Sequence, residues 1–158
     1  MFSDRAANYT LLTLFMADYA INNPHITVSG QKVNKMARIL IAEDDSSMRQ
    51  FLSIALKRAG HEVDAVADGE DALTAINNRA YDLLLADIIM PGMDGIALAK
   101  RASSIVPGMK VMFITGFAAV AMGQKKMEES DAKVLSKPFH LRDLVDQVEK
   151  MLVSAATA

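Results

Sequence analysis

Three short stretches, RILIA (38–42), LLLAD (83–87) and KVMFIT (110–115), are apolar at nearly every interior position and are bounded by charged or turn-forming residues. A strand with one wet face alternates apolar and polar side chains, so unbroken runs this short are the pattern of strands covered on both faces. Such a sheet needs helices on both sides, and between the runs the apolar period lengthens as that requires. After the first run, Met48, Phe51, Leu52, Ala55 and Leu56 recur at the spacing of one buried helical stripe, with Asp45 or Ser46 as N-cap and Gly60 at the end. Helices are also predicted over about Glu70–Asn78, about Ile96–Ser104 and along LRDLVDQVEKML, where Leu141, Leu144, Val145, Val148 and Leu152 share a side. EVDAV (62–66) alternates and KVLSKP (133–138) is short and polar, as edge strands are. The fold class predicted is α/β, a doubly wound five-stranded parallel sheet in the order 2-1-3-4-5 with a ligand crevice beyond the carboxyl ends of the strands.

Several function classes fall away on composition. The chain has 158 residues, no cysteine and a formal charge of −2. No disulfide frame, thiolate chemistry or zinc ribbon is available, and a cytoplasmic, reducing location is expected. No overall basic field gathers nucleic acid, and no apolar stretch is long enough to span a bilayer. The first 35 residues read differently from the rest. YTLLTLFMADYAI is interrupted by Thr13 and Asp18 and has no clean cleavage site, so it makes a poor signal peptide. At Met36 a start-like methionine leads directly into a strand. Residues 1–35 are therefore expected to lie outside the functional domain, 36–152 to form it, and 153–158 to be a flexible tail; a helical extension docked on the domain is the competing reading of 1–35.

The parallel topology gathers the unusual polar residues at one end of the sheet. Glu43 and Asp44 follow the first strand, Asp87 ends the third, Thr115 the fourth and Lys137 the fifth. Two carboxylates about 4 Å apart repel by roughly 4 kcal/mol at an effective dielectric near 20, so the cluster calls for a cation. Carboxylates, a carbonyl and water suit Mg²⁺. Thr115 and Lys137 then supply a hydroxyl and an ammonium for an anion beside the metal, and a phosphoryl group on Asp87 fits that description. Taken singly, each residue has a plain structural role: Asp44 or Asp45 as a cap, Thr115 as a strand-end hydroxyl, Lys137 in solvent. Their convergence favours a site. Asp94 is assigned to the turn before Gly95 and Asp45 to the cap; His25, His61 and His140 are scattered and suggest no metal cluster.

The motifs AEDDSSMR, DIIMPGMDG, FITG and SKPF, in this order and spacing, resemble the CheY-like receiver domain of two-component response regulators over Met36 to Leu152. The resemblance implies Asp87 as phosphoacceptor, Asp44 and Asp87 as direct Mg²⁺ ligands with the Ile89 carbonyl, and Glu43 acting through water. It makes Thr115 the switch hydroxyl and Lys137 the phosphoryl-binding lysine, and implies a cis bond before Pro138. It also implies no enzyme activity beyond phosphotransfer to Asp87 and its reversal. Val134 stands where the family often has an aromatic residue, so displacement of the Thr115 loop and the helix after it is the expected switch.

KVMFITGFAAVAM and DAKVLSKPFHLRDLV narrow the likeness to the CpdR family of stand-alone receivers in alphaproteobacteria. For that family the implied role is a phosphorylation-switched adaptor of ClpXP proteolysis in cell-cycle control, active when unphosphorylated. Phosphate is implied to arrive from a hybrid histidine kinase through a histidine phosphotransferase. The partners expected are these donors and the ClpX unfoldase, with no nucleic acid or membrane, and the protein acting as a monomer. Phe117, Val120 and Met122 are the candidate output surface, and the polar side of the first helix around Arg49 is a candidate face for the donor. A phosphorelay carrier or chemotaxis-like module is the alternative. A Mg²⁺-dependent small-molecule phosphatase ranks last, because position 89 is Ile rather than a second aspartate.

Overall fold

The computed structural model describes residues 36–116 and 132–154. Its five strands are β1 (Arg38–Ala42), β2 (Glu62–Val66), β3 (Leu83–Asp87), β4 (Lys110–Thr115) and β5 (Lys133–Ser136). Four helices are described: α1 (Ser46–Arg58), α2 (Gly69–Asn78), α3 (Gly95–Ile105) and α4 (Leu141–Ser154). All pairings are parallel and the order is β2-β1-β3-β4-β5, as the burial pattern of the sequence implies.

The three central strands owe their apolar runs to a core on each face. Leu40, Leu84, Val111 and Phe113 pack on one side with Ala72 and Ile76 of α2 and Leu98 and Ala102 of α3. On the other side Ile39, Ile41, Leu83, Leu85, Met112 and Ile114 meet Leu52 and Leu56 of α1 and Leu144, Val148 and Met151 of α4. Alternate residues thus serve opposite layers, so no interior position can be polar without being buried. β2 and β5 are more open, as edges are.

The helix starts follow local chemistry. Asp45, Asp68 and Asp94 each cap a helix, accepting from the backbone N–H of Met48, Asp71 and Ala97 at 2.8, 2.8 and 2.7 Å. Asp45 is therefore the cap of α1, and Asp94 serves as the cap of α3 rather than only as a turn residue. α1 ends where Gly60 turns out of it at φ +96°, a conformation side chains disfavour. The Lys137–Pro138 bond is cis.

One expectation is overturned. Phe51 was placed on the buried stripe of α1, yet it is 46% exposed, as is Ile54 at 42%. The stripe that meets the sheet is Leu52, Ala55 and Leu56, with Met48 partly buried against the same core, because a helix at a sheet's margin buries one edge of its apolar arc. Leu152 packs against the core at the end of α4 as expected, and Met151 beside it is buried as well.

Candidate functional site

Because every strand of a parallel sheet points the same way, the residues after β1 and at the ends of β3, β4 and β5 share one rim. Glu43 and Asp87 are buried there, 1% and 7% exposed, while Asp44 reaches solvent. One carboxylate oxygen of each lies within 4.8 Å of the others. Lys137 crosses from the far strand, its Nζ 3.1 Å from Asp87 Oδ2 and 3.3 Å from Glu43 Oε2. The other Asp87 oxygen, Oδ1, accepts from the Ile89 backbone N–H at 3.1 Å, and Glu43 Oε1 accepts from that of Asp45 at 3.1 Å. Asp87 is thus held at both oxygens, which fixes the direction in which it can present a lone pair.

The backbone around these groups is fastened from several sides. Arg49 Nη1 donates to the carbonyls of Glu43 and Asp44 at 2.7 and 3.2 Å, tying the loop after β1 to the first turn of α1. The Lys137 N–H donates to the Thr115 carbonyl at 2.7 Å. Thr115 is fully buried, and its Oγ1 donates to the Gly116 carbonyl at 3.1 Å, so the hydroxyl is turned to its own backbone. An open cleft of about 420 Å³ runs beside Lys137, lined by Asp45, Ser47, Met48 and Phe51. Ile89, 62% exposed, stands on the rim.

The electrostatics are those of an under-neutralised pocket. Burial pushes the Glu43 carboxyl above its ordinary value, the neighbouring Asp87 charge pushes the same way, and the Asp45 N–H and Lys137 oppose them. Burial acts to lower Lys137, but its bonds to Asp87 and Glu43 win and hold its ammonium above the ordinary lysine value. Lys137 pairs with two of the three carboxylates, Glu43 and Asp87. An all-oxygen donor set with that charge deficit fits a hard divalent cation.

The fold brings together Glu43, Asp44, Asp87, Thr115 and Lys137, with Ile89 following Asp87 by two residues. Phe117, Val120 and Met122 lie outside the described residues, as do residues 1–35 and the tail from 155. Two contributors escaped the sequence: Arg49, considered only as a donor-facing residue, staples the loop, and Gly95 sits where a Cβ would overlap the Asp87 carbonyl. The Asp-Gly pair after an apolar run was a visible signal of a turn, not of this close approach.

A comparison with protein families matches residues 39–149 to the response regulator receiver domain. The chain belongs to that family. Among receivers, it is 56% identical over 120 residues to the response regulator receiver protein CpdR of Brucella abortus (strain 2308), covering 76% of this chain and all of that one. The CheY-like receiver domain protein of Methanospirillum hungatei JF-1 superposes with a TM-score of 0.71 at 31% identity, over 77% of this chain and 97% of its own. The receiver domain of the hybrid histidine kinase CckA gives 0.62 at 36% identity, over 73% and 98%. Receivers take phosphate from histidine kinases or phosphotransferases and generally bind Mg²⁺ at an acidic pocket, and this chain has a cluster of acidic residues in Glu43, Asp44 and Asp87. Among the described residues no helix is long and apolar enough to cross a membrane.

Proposed function

We propose that the protein is a stand-alone, cytoplasmic response regulator phosphorylated on Asp87 with Mg²⁺. In this proposal its unphosphorylated form is an adaptor for ClpXP proteolysis in cell-cycle control. The observation that carries the phosphorylation part is the Lys137 ammonium 3.1 Å from Asp87 Oδ2, beside three mutually close carboxylates. Asp87 attacks the phosphorus of a phosphohistidine; an O–P bond forms as the N–P bond breaks, and the bonding pair returns to the imidazole. Asp44, Asp87 and the Ile89 carbonyl would hold Mg²⁺ directly and Glu43 through water; the ion supplies neutralisation of the transferring oxygens. Lys137 shifts its ammonium toward the phosphoryl group as Asp87 loses its charge. Thr115 Oγ1 must leave the Gly116 carbonyl to meet that group, which pulls on the backbone leading to Phe117.

The adaptor part rests on the CpdR resemblance, which extends through the whole of the Brucella relative. The family match over residues 39–149 supports 36–152 as the working unit. An adaptor passes its output through a protein surface, for which Phe117, Val120 and Met122 remain the candidates. A phosphorelay carrier or chemotaxis-like module without protease contact is the second reading; Phe51, exposed on the cleft beside Lys137, offers a donor the same approach under either.

Binding of purified ClpX to three forms tests the choice: wild type, wild type with Mg²⁺ and beryllofluoride, and Asp87→Ala. The adaptor reading expects the bare protein and Asp87→Ala to bind and the beryllofluoride form not to. If none binds while beryllofluoride still changes the protein, the adaptor role is lost and the relay reading takes its place.

A further inference from the structure

The loop from Ile88 to Asp94 carries the Ile89 carbonyl, so its position decides whether the acidic site can close around a cation. Its two ends are well fixed. Ile88 N–H donates to the Ile114 carbonyl at 3.1 Å, Gly95 N–H to the Ile88 carbonyl at 2.9 Å, and Asp94 caps α3. Ile88 and Met90 are buried in the core at 7% and 6% exposure. The outer half has less support: Pro91 and Gly92 are exposed, and Gly92 takes φ +75°, open to no side-chain contact.

Met93 closes that gap by lying on a different helix. A Cβ placed on Gly69, the first residue of α2, would meet Met93 Cβ at 2.9 Å and its Cγ and Sδ at 3.1 Å. Gly69 is buried, and its bare Cα is the seat along which the methionine side chain runs. The seat itself is rigid, because Asp68 caps α2 through the Asp71 N–H. No residue of α2 belongs to the acidic cluster, so this contact has no part in binding chemistry of its own.

We infer that Met93 and Gly69 are positioning residues for the acidic site: their contact holds the 88–94 loop so that the Ile89 carbonyl meets the cation bound by Asp44 and Asp87. The inference rests on the functional reading above. Mg²⁺ accepts only a narrow range of distances in near-octahedral geometry, so displacement of one ligand by a few tenths of an ångström is felt directly in affinity. Partners that orient metal ligands from outside typically change affinity by roughly tenfold or more when removed.

The test measures Mg²⁺ affinity by calorimetry, thermal stability, and metal-free amide hydrogen exchange across 88–94. It compares wild type with Gly69→Ala, Met93→Ala, Met93→Leu and the control Ile76→Val, a core change about two turns further along the same helix from the Met93 seat. Gly69→Ala and Met93→Ala are expected to weaken Mg²⁺ roughly tenfold and to speed exchange in the loop. Met93→Leu, which refills the seat, should stay near wild type, and Ile76→Val should lower the melting temperature without moving the affinity. If Gly69→Ala does not fold, the two Met93 variants decide the matter. Variants that lose stability yet keep wild-type affinity and exchange overturn the inference and leave the functional reading standing. A wild type that binds no Mg²⁺ overturns both.

Discussion

The two ends of the sheet each gather carboxylates, and they treat them in opposite ways. At the amino end, Glu62 and Asp64 project from edge strand β2 and meet two guanidinium groups. Arg38 Nε lies 3.1 Å from Glu62 and Arg79 Nη1 2.8 Å from Asp64, and Arg79 Nη2 also bonds Glu62. The Tyr81 hydroxyl adds a 2.8 Å donation to Asp64. Charges balance there: the arginine bonds hold Glu62 below its ordinary value, and burial with the Asp64 bond pushes Tyr81 up to about 12. At the carboxyl end, among the described residues, Lys137 pairs with Glu43 and Asp87 while Asp44 stands beside them without an ion pair to it, and Glu43 is pushed up instead. Carboxylates that are fully matched hold a fold together, whereas carboxylates left short of positive charge wait for something to bind.

The largest expected effect separates the ends by ligand. Mg²⁺ at 100 times its Kd should stabilise the wild type by about 2.7 kcal/mol. Asp44→Asn should remove most of that gain, and Glu62→Gln, although it too deletes a carboxylate charge, should leave it intact. Thermal melts with and without Mg²⁺ check this. An equal loss in the Glu62 variant would end the distinction between a balanced cluster and a poised one.

Glu43 gives a sharper and smaller test without metal. Its folded value is raised, so its contribution to stability is complete below about 4.5 and is lost as pH rises through the raised value. Glu43→Gln does not titrate. Metal-free, it should therefore gain on the wild type as pH climbs from 4.5 to neutrality, by an amount that screening at the open side of the pocket keeps small beside the Mg²⁺ effect. Denaturant melts across that range read it. A variant that is less stable at neutral pH would mean that the Asp45 and Lys137 bonds outweigh burial.

What the sequence made legible follows from how local each signal is. Strand order and the converging rim came through because LLLAD and KVMFIT are apolar on both faces and parallel strands must end together. Asp45 as a cap needed only its place before a helix. Phe51 misled because periodicity gives the angle of a side chain around its helix but not how far the sheet extends beneath it. The seat of Met93 on Gly69, the Arg49 staple and the approach of Gly95 to Asp87 join elements far apart in the fold, and single glycines or an arginine carry no mark of their distant neighbour. The arrival of Lys137 on the same rim as Asp87 was legible because each lies at or just after a strand's end, but their direct 3.1 Å contact was not.

The smallest expected effect lies in the balanced cluster and bears on why it is there. Glu62 is held below 4.5, so what it contributes is present above that value and is lost as pH falls through the depressed one. Arg79→Ala should therefore cost a little stability at neutral pH, less than Glu43→Gln gains, and the cost should shrink under acid as Glu62 loses its charge. Exposed pairs contribute modestly because both ions are already well solvated apart. The network's geometric work is larger than its energy: Arg79 leaves the end of α2 to reach two residues on one face of β2, fixing the edge strand against the helix on which Met93 is seated. Hydrogen exchange on β2 in Arg79→Ala should therefore rise more than the melting temperature falls. If exchange stays unchanged, the cluster is only a set of solvated pairs, and the contrast between the two ends is one of charge count alone.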